Sequence, residues 1–412
     1  MPRRLLDRPW LVALLVGLAA EALFAVRLAT PHVLVFDEVH YATAARVLWS
    51  LDRAANPEHP LLGKALIGLG IALFGDDPVG WRALSTLAAS GVVAGVFAIL
   101  WLLYRRRRTA LVGAAIAALN FTVFVQARVA MLDGFMACFV VLALAAMVGA
   151  MRGRGTAVWR RWTLGAVLLG LAAGIKWTAL PYIGLAGLGF ALAKRGAPWR
   201  WPGLGIVPAW AILGGVSLLA YCLTFTPAFF YAHDPLTLRG FVDWQRYMYS
   251  LQTQVLPHHT YQSAWYGWPV AYRPIWYLYQ VADGAQRGIL MIGNPAVLWG
   301  GLVAVAACLW AWARGGERRA GAVAALWGAS WLMWGLIPKS LGFFYYYYLS
   351  SIWLALVLAA AFDHWRVRLR YWDEAYLVLV AVLFVHFYPI LAATPLAGPQ
   401  SFTRWMWFPT WP

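Results

Sequence analysis

Long apolar runs recur along the whole chain, and they constrain its fold more than any other feature. A run of about 20 mostly apolar residues is long enough to cross the hydrocarbon core of a membrane as a helix. A soluble domain could not bury the apolar surface of a chain that is 62% hydrophobic and 12% charged. The sequence therefore predicts an all-α polytopic membrane protein with about eleven spans. The predicted spans are residues 10–28, 82–104, 109–126, 131–151, 162–175, 177–193, 204–225, 289–313, 320–337, 342–362 and 373–392.

Basic residues cluster in the short segments that follow every second run. Lys and Arg are retained in cytoplasmic loops, so this alternation predicts a cytoplasmic N-terminus and an outer C-terminus. It also accounts for the net charge of +17 without nucleic acid as a partner. The clusters are Arg3, Arg4 and Arg8; Arg105 to Arg108; Arg152, Arg154, Arg160 and Arg161; Lys194, Arg195 and Arg200; Arg314, Arg318 and Arg319; and Arg366, Arg368 and Arg370.

Two long segments, residues 29–81 and residues 226–288, then fall on the outer side. They contain more than half of the 16 acidic residues, whereas the inner segments are short and basic. We therefore expect the chemistry at the outer face of a single transmembrane domain comprising residues 1–412. The first outer segment is the expected location of juxtamembrane helices that hold catalytic groups.

Charged residues near the predicted membrane surface mark the first outer segment. Asp37 and Glu38 lie shortly after the first run, and adjacent carboxylates near the membrane surface are costly unless they are solvated, paired or functional. A helix N-cap is the alternative explanation for this pair. Lys64 near a helix start opposes the helix dipole and needs an anionic partner such as a phosphate. Arg82 is a second cation at membrane level, for which snorkelling is the alternative.

Short motifs recur along the chain in a fixed order. They are Asp37-Glu38, His59-Pro60-Leu61-Leu62-Gly63-Lys64, Gly80-Trp81-Arg82, Arg128 to Asp133, Gly174-Ile175-Lys176-Trp177, His259 to Ser263, Trp268-Pro269, Arg273-Pro274 and Pro338-Lys339 to Tyr346. In this order they resemble the motifs of the bacterial protein O-mannosyltransferases, which are membrane glycosyltransferases of the GT-C type. The chain departs from the family pattern at Leu61 and Thr260, where Pro is usual. Pro57 replaces a frequent Asp, which leaves the role of Glu58 open.

The resemblance implies a GT-C fold and a location in the bacterial cytoplasmic membrane. It implies transfer of mannose, with inversion, from polyprenyl-phosphate-mannose to a Ser or Thr hydroxyl of a translocated protein. Eukaryotic relatives carry a β-trefoil domain in the second large outer loop, and residues 226–288 are too few to form one.

The resemblance also suggests roles for individual residues. Asp37 is the expected general base, and Glu38 is expected to orient the acceptor or to pair with an arginine. Some acids and bases are expected to pair structurally, for example Arg128 with Asp133. The candidates for the donor phosphate and sugar are His59, Lys64, Arg82, Arg128, Lys176, Arg273 and Lys339. The candidates for acceptor or loop contacts are Glu58, Asp133, His259 and Trp268.

No set of side chains has the spacing of a metal site, so neither a metal nor a cofactor is expected, although phosphate sites can recruit Mg²⁺. Two other functions stay open. One is a transferase of the same architecture that moves another polyprenyl-linked sugar to a lipid or cell-wall glycan. The other is a transporter, which usually shows paired repeats that are not evident here.

Overall fold

Each predicted apolar run overlaps a helix in the computed structural model, which describes residues 8–412. The predicted basic residues Arg3 and Arg4 lie outside this range. Six of the described helices are long and apolar enough to cross a membrane, or seven if one bent pair forms a single span. The helices are α1 Pro9–Ala25, α2 Glu38–Trp49, α3 Leu62–Phe74, α4 Pro78–Tyr104, α5 Arg107–Ala118, α6 Phe121–Ala127, α7 Leu132–Ala150, α8 Thr156–Ala173, α9 Leu180–Gly196, α10 Ile206–Leu223, α11 Gly240–Thr253, α12 Gly301–Gly315, α13 Arg318–Leu332, α14 Tyr348–His364 and α15 Trp372–Leu391.

The predicted span 109–126 is divided into α5 and α6, which are bent by 61° relative to each other. Asn120 lies at the break, and its Oδ1 accepts a hydrogen bond from the backbone N–H of Thr122 at 3.3 Å. An Asn side chain in this position caps the new helix and stabilises the change of direction. The bend directs the end of α6 toward the cluster of polar residues described below.

Close packing of α4 on α7 depends on two glycines spaced four residues apart. A Cβ atom on Gly91 would lie 2.6 Å from the sulfur of Cys138, and one on Gly95 would lie 2.5 Å from Cγ1 of Val141. Small residues at this spacing allow membrane helices to approach closely. Replacing either glycine would therefore push the two helices apart.

The second outer segment contains a β-hairpin that the sequence analysis did not predict. Strands β1 Ile275–Ala282 and β2 Ala285–Met291 pair antiparallel. Asp283 and Gly284 connect them, both with positive φ, as two-residue hairpin turns require. The predicted span 289–313 therefore begins too early, because β2 ends at Met291 and the helical turn Ala296–Gly300 precedes α12.

The two ends of the bundle differ in chemistry. Arg152 donates hydrogen bonds to carbonyl groups at the end of α4, and Arg318 donates to the carbonyl of Gly196 at the end of α9. Basic clusters thus gather at one end of the helices. The acidic pair of the first outer segment and the starts of α4 and α7 lie at the opposite end. This is the asymmetry that the alternation of basic segments predicts.

Candidate active site

Asp37 and Glu38 lie where the first outer segment enters α2. Phe36 has a φ of 50°, a left-handed conformation that is uncommon for an aromatic residue. Asp37 occupies the N-cap position, but its side chain makes no capping hydrogen bond. Successive side chains on a helix point about 100° apart. The two neighbouring carboxylates consequently face different surroundings.

Glu38 forms a fully buried ion pair with Arg82. Arg82 donates from Nε to Oε1 at 2.8 Å and from Nη2 to Oε2 at 2.9 Å. Both side chains are 0% exposed. Backbone N–H groups of Val35 and Ala130 donate to the two carboxylate oxygens as well. Glu38 therefore has the arginine partner that was one of its two expected roles.

Arg82 uses its remaining N–H groups on carbonyls of the stretch between α1 and α2. Nη1 donates to the carbonyls of Leu28 and Pro31, and Nη2 donates to the carbonyl of Val33. A guanidinium has five N–H donors, and together with the Glu38 contacts all of them are engaged. The geometry thus differs from the expectation that Arg82 binds a phosphate. Arg82 instead fastens the segment before α2 to the start of α4.

Asp37 has a half-buried carboxylate with far fewer contacts. The hydroxyl of Tyr41, one helical turn further on, donates to its Oδ2 at 3.2 Å. Burial raises the pKa of the Asp37 carboxyl above its ordinary value, and the Lys176 ammonium offsets this only in part. A carboxylate with a raised pKa accepts a proton more readily near neutral pH.

Lys176 and Asp133 form a second buried pair beside Asp37. Lys176 donates from Nζ to Oδ2 of Asp133 at 2.7 Å, and the two side chains are only 6% and 4% exposed. Both charges act on the Asp37 carboxylate. Asp37, Asp133 and Lys176 therefore form one electrostatic cluster.

Arg128 does not pair with Asp133, contrary to one expectation from the sequence. Its guanidinium donates to the carbonyls of Phe24, Val26 and Arg27 at the end of α1, and it lies over the ring of Phe124. The last carbonyls of a helix lack partners within the helix, so a cation is favoured there. Arg128 thus stabilises the exit of the chain from α1.

Aromatic rings enclose the cluster around Asp37. Phe36 stacks on Tyr277 of β1 with ring centroids 4.4 Å apart, and Tyr345 meets both rings edge-on. Gln126 of α6 donates to the hydroxyl of Tyr277 at 3.2 Å. Its Oε1 is buried without a hydrogen-bond partner. Apolar walls with a few convergent polar groups are typical of small-molecule sites.

Gln252 at the end of α11 connects three loops. Its Nε2 donates to the carbonyl of Glu58 and contacts Nδ1 of His59, and its Oε1 accepts from Nζ of Lys339. Burial and the neighbouring lysines hold the pKa of His59 well below its usual range, so this imidazole is neutral. Burial, together with the Lys176 ammonium, lowers the pKa of Lys339 to about 8.

Lys64 is buried and organises the turn before α3. Its Nζ donates to the carbonyls of Ala55, Asn56 and His59 at 3.2, 2.7 and 2.8 Å. An ammonium group has three donors, and these carbonyls match their number. The direct partners of Lys64 are thus carbonyl oxygens, and the Glu58 carboxylate acts on it through its charge without a direct hydrogen bond. Glu58 in the same turn accepts from Nδ2 of Asn56 at 2.8 Å.

The remaining candidates stabilise the second outer segment. Arg273 donates to one carbonyl of its own segment and to two carbonyls at the C-terminal end of the chain. His259 is exposed and accepts from the backbone N–H of Tyr261. Trp268 is buried against Trp334 and Tyr346. Within residues 8–412, no group of three or more His, Cys, Asp or Glu side chains is placed to hold a metal ion.

Several residues of the cluster were not among the sequence candidates. Tyr41 lies four residues after Asp37 on one helix, a spacing that brings side chains together and could have indicated it. The Asp-Gly dipeptide between two aromatic and β-branched stretches could have indicated the hairpin that contains Tyr277. No linear signal connects Gln252 or Gln126 with residues so distant in the sequence.

Comparison with known families covers most of the chain. Residues 76–233 match the dolichyl-phosphate-mannose-protein mannosyltransferase family model. Residues 237–411 match the model of the C-terminal four-membrane-helix region of protein O-mannosyltransferase. Asp37 and Glu38 precede both matched regions.

Individual proteins show the same similarity. The polyprenol-phosphate-mannose–protein mannosyltransferase of Mycobacterium tuberculosis is 29% identical, over 92% of this chain and 86% of that protein. The protein of the same name from Mycolicibacterium smegmatis is 28% identical, over 92% and 87%. The donor-bound Pmt1–Pmt2 protein O-mannosyltransferase complex of S. cerevisiae has a TM-score of 0.81 at 14% identity, covering 97% of this chain and 92% of that chain. This last likeness shows a common fold.

Proposed function

The chain belongs to the protein O-mannosyltransferase family of glycosyltransferases, which transfer mannose to protein, and from this premise we propose its donor, acceptor groups and catalytic base. The proposed donor is a polyprenyl-phosphate-mannose, and the acceptors are Ser and Thr hydroxyls of translocated proteins. The reaction is placed at the outer face of the bacterial cytoplasmic membrane. The observation that best supports the mechanism is the contrast between saturated Glu38 and the sparsely bonded, half-buried Asp37.

Asp37 acts as the general base in the proposed reaction. Its carboxylate accepts the proton of the acceptor hydroxyl while the hydroxyl oxygen forms a bond to C1 of mannose. The bond between C1 and the phosphate oxygen breaks, and that oxygen leaves with the electron pair as polyprenyl phosphate. Attack from the face opposite the phosphate inverts C1. Protonated Asp37 then releases its proton to solvent.

Lys176 and Lys339 are the proposed cations for the leaving phosphate. Charge that develops on a leaving group is stabilised most by donors already in position. Lys176 is held by Asp133, and Lys339 is held by Gln252. The other candidate cations are engaged mainly with backbone carbonyls or with Glu38, so we assign them to the architecture of the site.

A transfer assay with purified enzyme tests this proposal. Wild-type protein in detergent, given a synthetic polyprenyl-phosphate-mannose and a Ser/Thr-rich peptide, is expected to produce mannosylated peptide by mass spectrometry. A peptide with every Ser and Thr changed to Ala is the matched control and should remain unmodified. If the enzyme modified only lipid or glycan acceptors, the proposal that the acceptor is a protein would be overturned. If the enzyme used only another polyprenyl-linked sugar as donor, the proposal that it transfers mannose would be overturned.

The pH dependence of kcat/KM for the donor is expected to be bell-shaped. Asp37 must be ionised, and burial raises its pKa, so activity falls as the pH drops through a value above that of an ordinary carboxyl. Lys339 must be protonated to stabilise the phosphate, so activity falls again as the pH rises through about 8. Lys339→Arg should move the alkaline limb upward, because arginine stays charged. If the alkaline limb of the pH profile did not move in Lys339→Arg, the titration of another group would be responsible for that limb.

A further inference from the structure

A groove at the end of the bundle opposite to Asp37 is not used by the mechanism. It lies between α1, α4, α7 and α8 and has a volume of about 680 Å³. Its length is lined by apolar side chains that include Ala13, Phe97, Ala98 and Ala145. Three arginines, Arg105, Arg152 and Arg161, line the same groove. The groove thus combines an apolar floor with a cluster of positive charge.

The position of the groove corresponds to the opposite membrane surface. From Arg82 to Tyr104, α4 rises about 33 Å, which is close to the thickness of a bilayer hydrocarbon core. The site around Asp37 and the arginines of the groove therefore lie at the two headgroup levels of one bilayer. If the site faces outward, the groove faces the cytoplasmic leaflet.

The arginines of the groove have no carboxylate partner within the described residues. Arg105 lies over the ring of Trp101 at 5.1 Å. Arg152 donates to carbonyls of α4, and Arg161 donates to the carbonyl of Gly149 at 2.9 Å. Burial and neighbouring arginines, with Arg105 the first of them, lower the pKa of Arg152. Positive charges thus repel one another here, and no carboxylate among residues 8–412 compensates them.

The neighbouring cavity at the same end of the bundle shows the opposite arrangement. There Arg108 forms a bidentate pair with Asp373, with donor–acceptor distances of 2.6 and 2.7 Å. Arg106 lies 3.6 Å from Asp363. Topological anchoring explains basic residues at this end in general. It does not explain why one cavity pairs its arginines with carboxylates while the other collects them around an apolar groove.

We propose that this groove binds an anionic phospholipid of the adjoining leaflet. Guanidinium groups bind phosphate through several hydrogen bonds, and these exposed arginines have donors that the carbonyl contacts do not use. The acyl chains would lie along the apolar floor between α1, α4, α7 and α8. The surface of the cytoplasmic leaflet is rich in such lipids and attracts basic residues near the membrane.

Native mass spectrometry of detergent-purified protein supplied with phosphatidylglycerol or phosphatidylcholine tests this site. Wild-type protein should retain phosphatidylglycerol in preference to phosphatidylcholine. Each arginine of the groove should contribute about fivefold in affinity for the bound headgroup, so the triple variant Arg105→Gln/Arg152→Gln/Arg161→Gln should bind about a hundredfold more weakly. Arg160→Gln, on the same helix as Arg161 but outside the groove, is the matched control and should bind as wild type does.

A second variant separates lipid binding from binding of phosphate alone. Ala98→Trp would fill the apolar floor and leave the arginines in place. The Ala98→Trp variant should no longer retain phosphatidylglycerol. If the arginines bound only free phosphate, the substitution would leave binding of inorganic phosphate unchanged. The proposal would be overturned if wild-type protein retained both lipids equally, or if the triple variant bound phosphatidylglycerol as tightly as Arg160→Gln does. It would also be overturned if polyprenyl phosphate displaced bound phosphatidylglycerol at a lower concentration than added phosphatidylglycerol does.

Discussion

Asp37→Asn is expected to lower the rate of mannosyl transfer by roughly 10²–10⁴-fold while the protein stays folded. The amide has the shape of the carboxylate but cannot accept the proton of the acceptor hydroxyl. Asn also retains an oxygen for the hydroxyl of Tyr41, which donates to Oδ2 in the wild type. The measurement is the single-turnover rate of transfer, with enzyme in excess over the acceptor peptide and the donor at a saturating concentration. A loss of chemistry is then separated from a loss of donor affinity.

The thermal stability of Asp37→Asn distinguishes a catalytic role from a structural one. Because burial raises the pKa of Asp37, its ionised form is less favourable in the folded protein than in the unfolded chain. Removing that charge should therefore leave the melting temperature unchanged or raise it at neutral pH. A structural carboxylate would show the reverse, as the loss of a well-bonded anion destabilises the fold.

Asp243→Asn serves as the matched control for this substitution. Asp243 is an exposed residue of α11 whose side chain pairs with Arg246 at 3.1 Å. Its conversion to Asn should change neither transfer nor stability appreciably. If Asp37→Asn retains more than about a tenth of wild-type transfer, the effect falls below that of a removed general base. The base would then have to be sought elsewhere, with Asp133 as the nearest alternative.

The architecture was largely predictable because membrane helices leave strong linear signals. Apolar length and the alternation of basic segments depend on the composition of one stretch at a time, and both predicted the helices and the asymmetry between their ends. The hairpin was missed because a short strand of aromatic and β-branched residues merges with the next apolar run. Only the Asp283-Gly284 turn separates the two stretches.

The charged residues of the candidate site were named from the sequence, but their pairing and the polar residues around them were not. The family resemblance selected Asp37, Arg82, Asp133 and Lys176 from the sequence, and all of them lie at one end of the bundle. Which cation meets which carboxylate depends on how α4, α7 and the segment after α8 pack together. Glu38 and Arg82 are 44 positions apart in the sequence, and Lys176 and Asp133 are 43 apart. No local pattern determines such contacts.

The burial of Arg82 bears on the phosphate role that the sequence analysis expected for it. A residue with all its donors engaged inside the protein cannot gain a phosphate contact without losing an existing one. Its substitution should therefore affect folding before it affects donor binding. The same reasoning applies to Lys64, whose Nζ is already bonded to three carbonyls.

Arg82→Met is accordingly expected to destabilise the protein by about 3–5 kcal/mol, because it leaves the buried carboxylate of Glu38 without its cation. The carbonyls of Leu28, Pro31 and Val33 would lose their donor in the same step. The measurement is reversible unfolding of the purified protein in mixed detergent micelles, with transfer activity normalised to the folded fraction. Arg246→Met removes an exposed ion pair and should cost at most about 1 kcal/mol, so it serves as the control.

The double variant Glu38→Gln/Arg82→Met tests whether the two side chains act as a pair. Removing both charges abolishes the uncompensated carboxylate, so the double variant should be less destabilised than the sum of the two single variants. Strict additivity would mean that the two side chains do not act as a pair. A normal stability for Arg82→Met combined with a raised KM for the donor would instead place Arg82 at the phosphate. In that case the arginine must exchange its carbonyl contacts for the donor when the substrate binds.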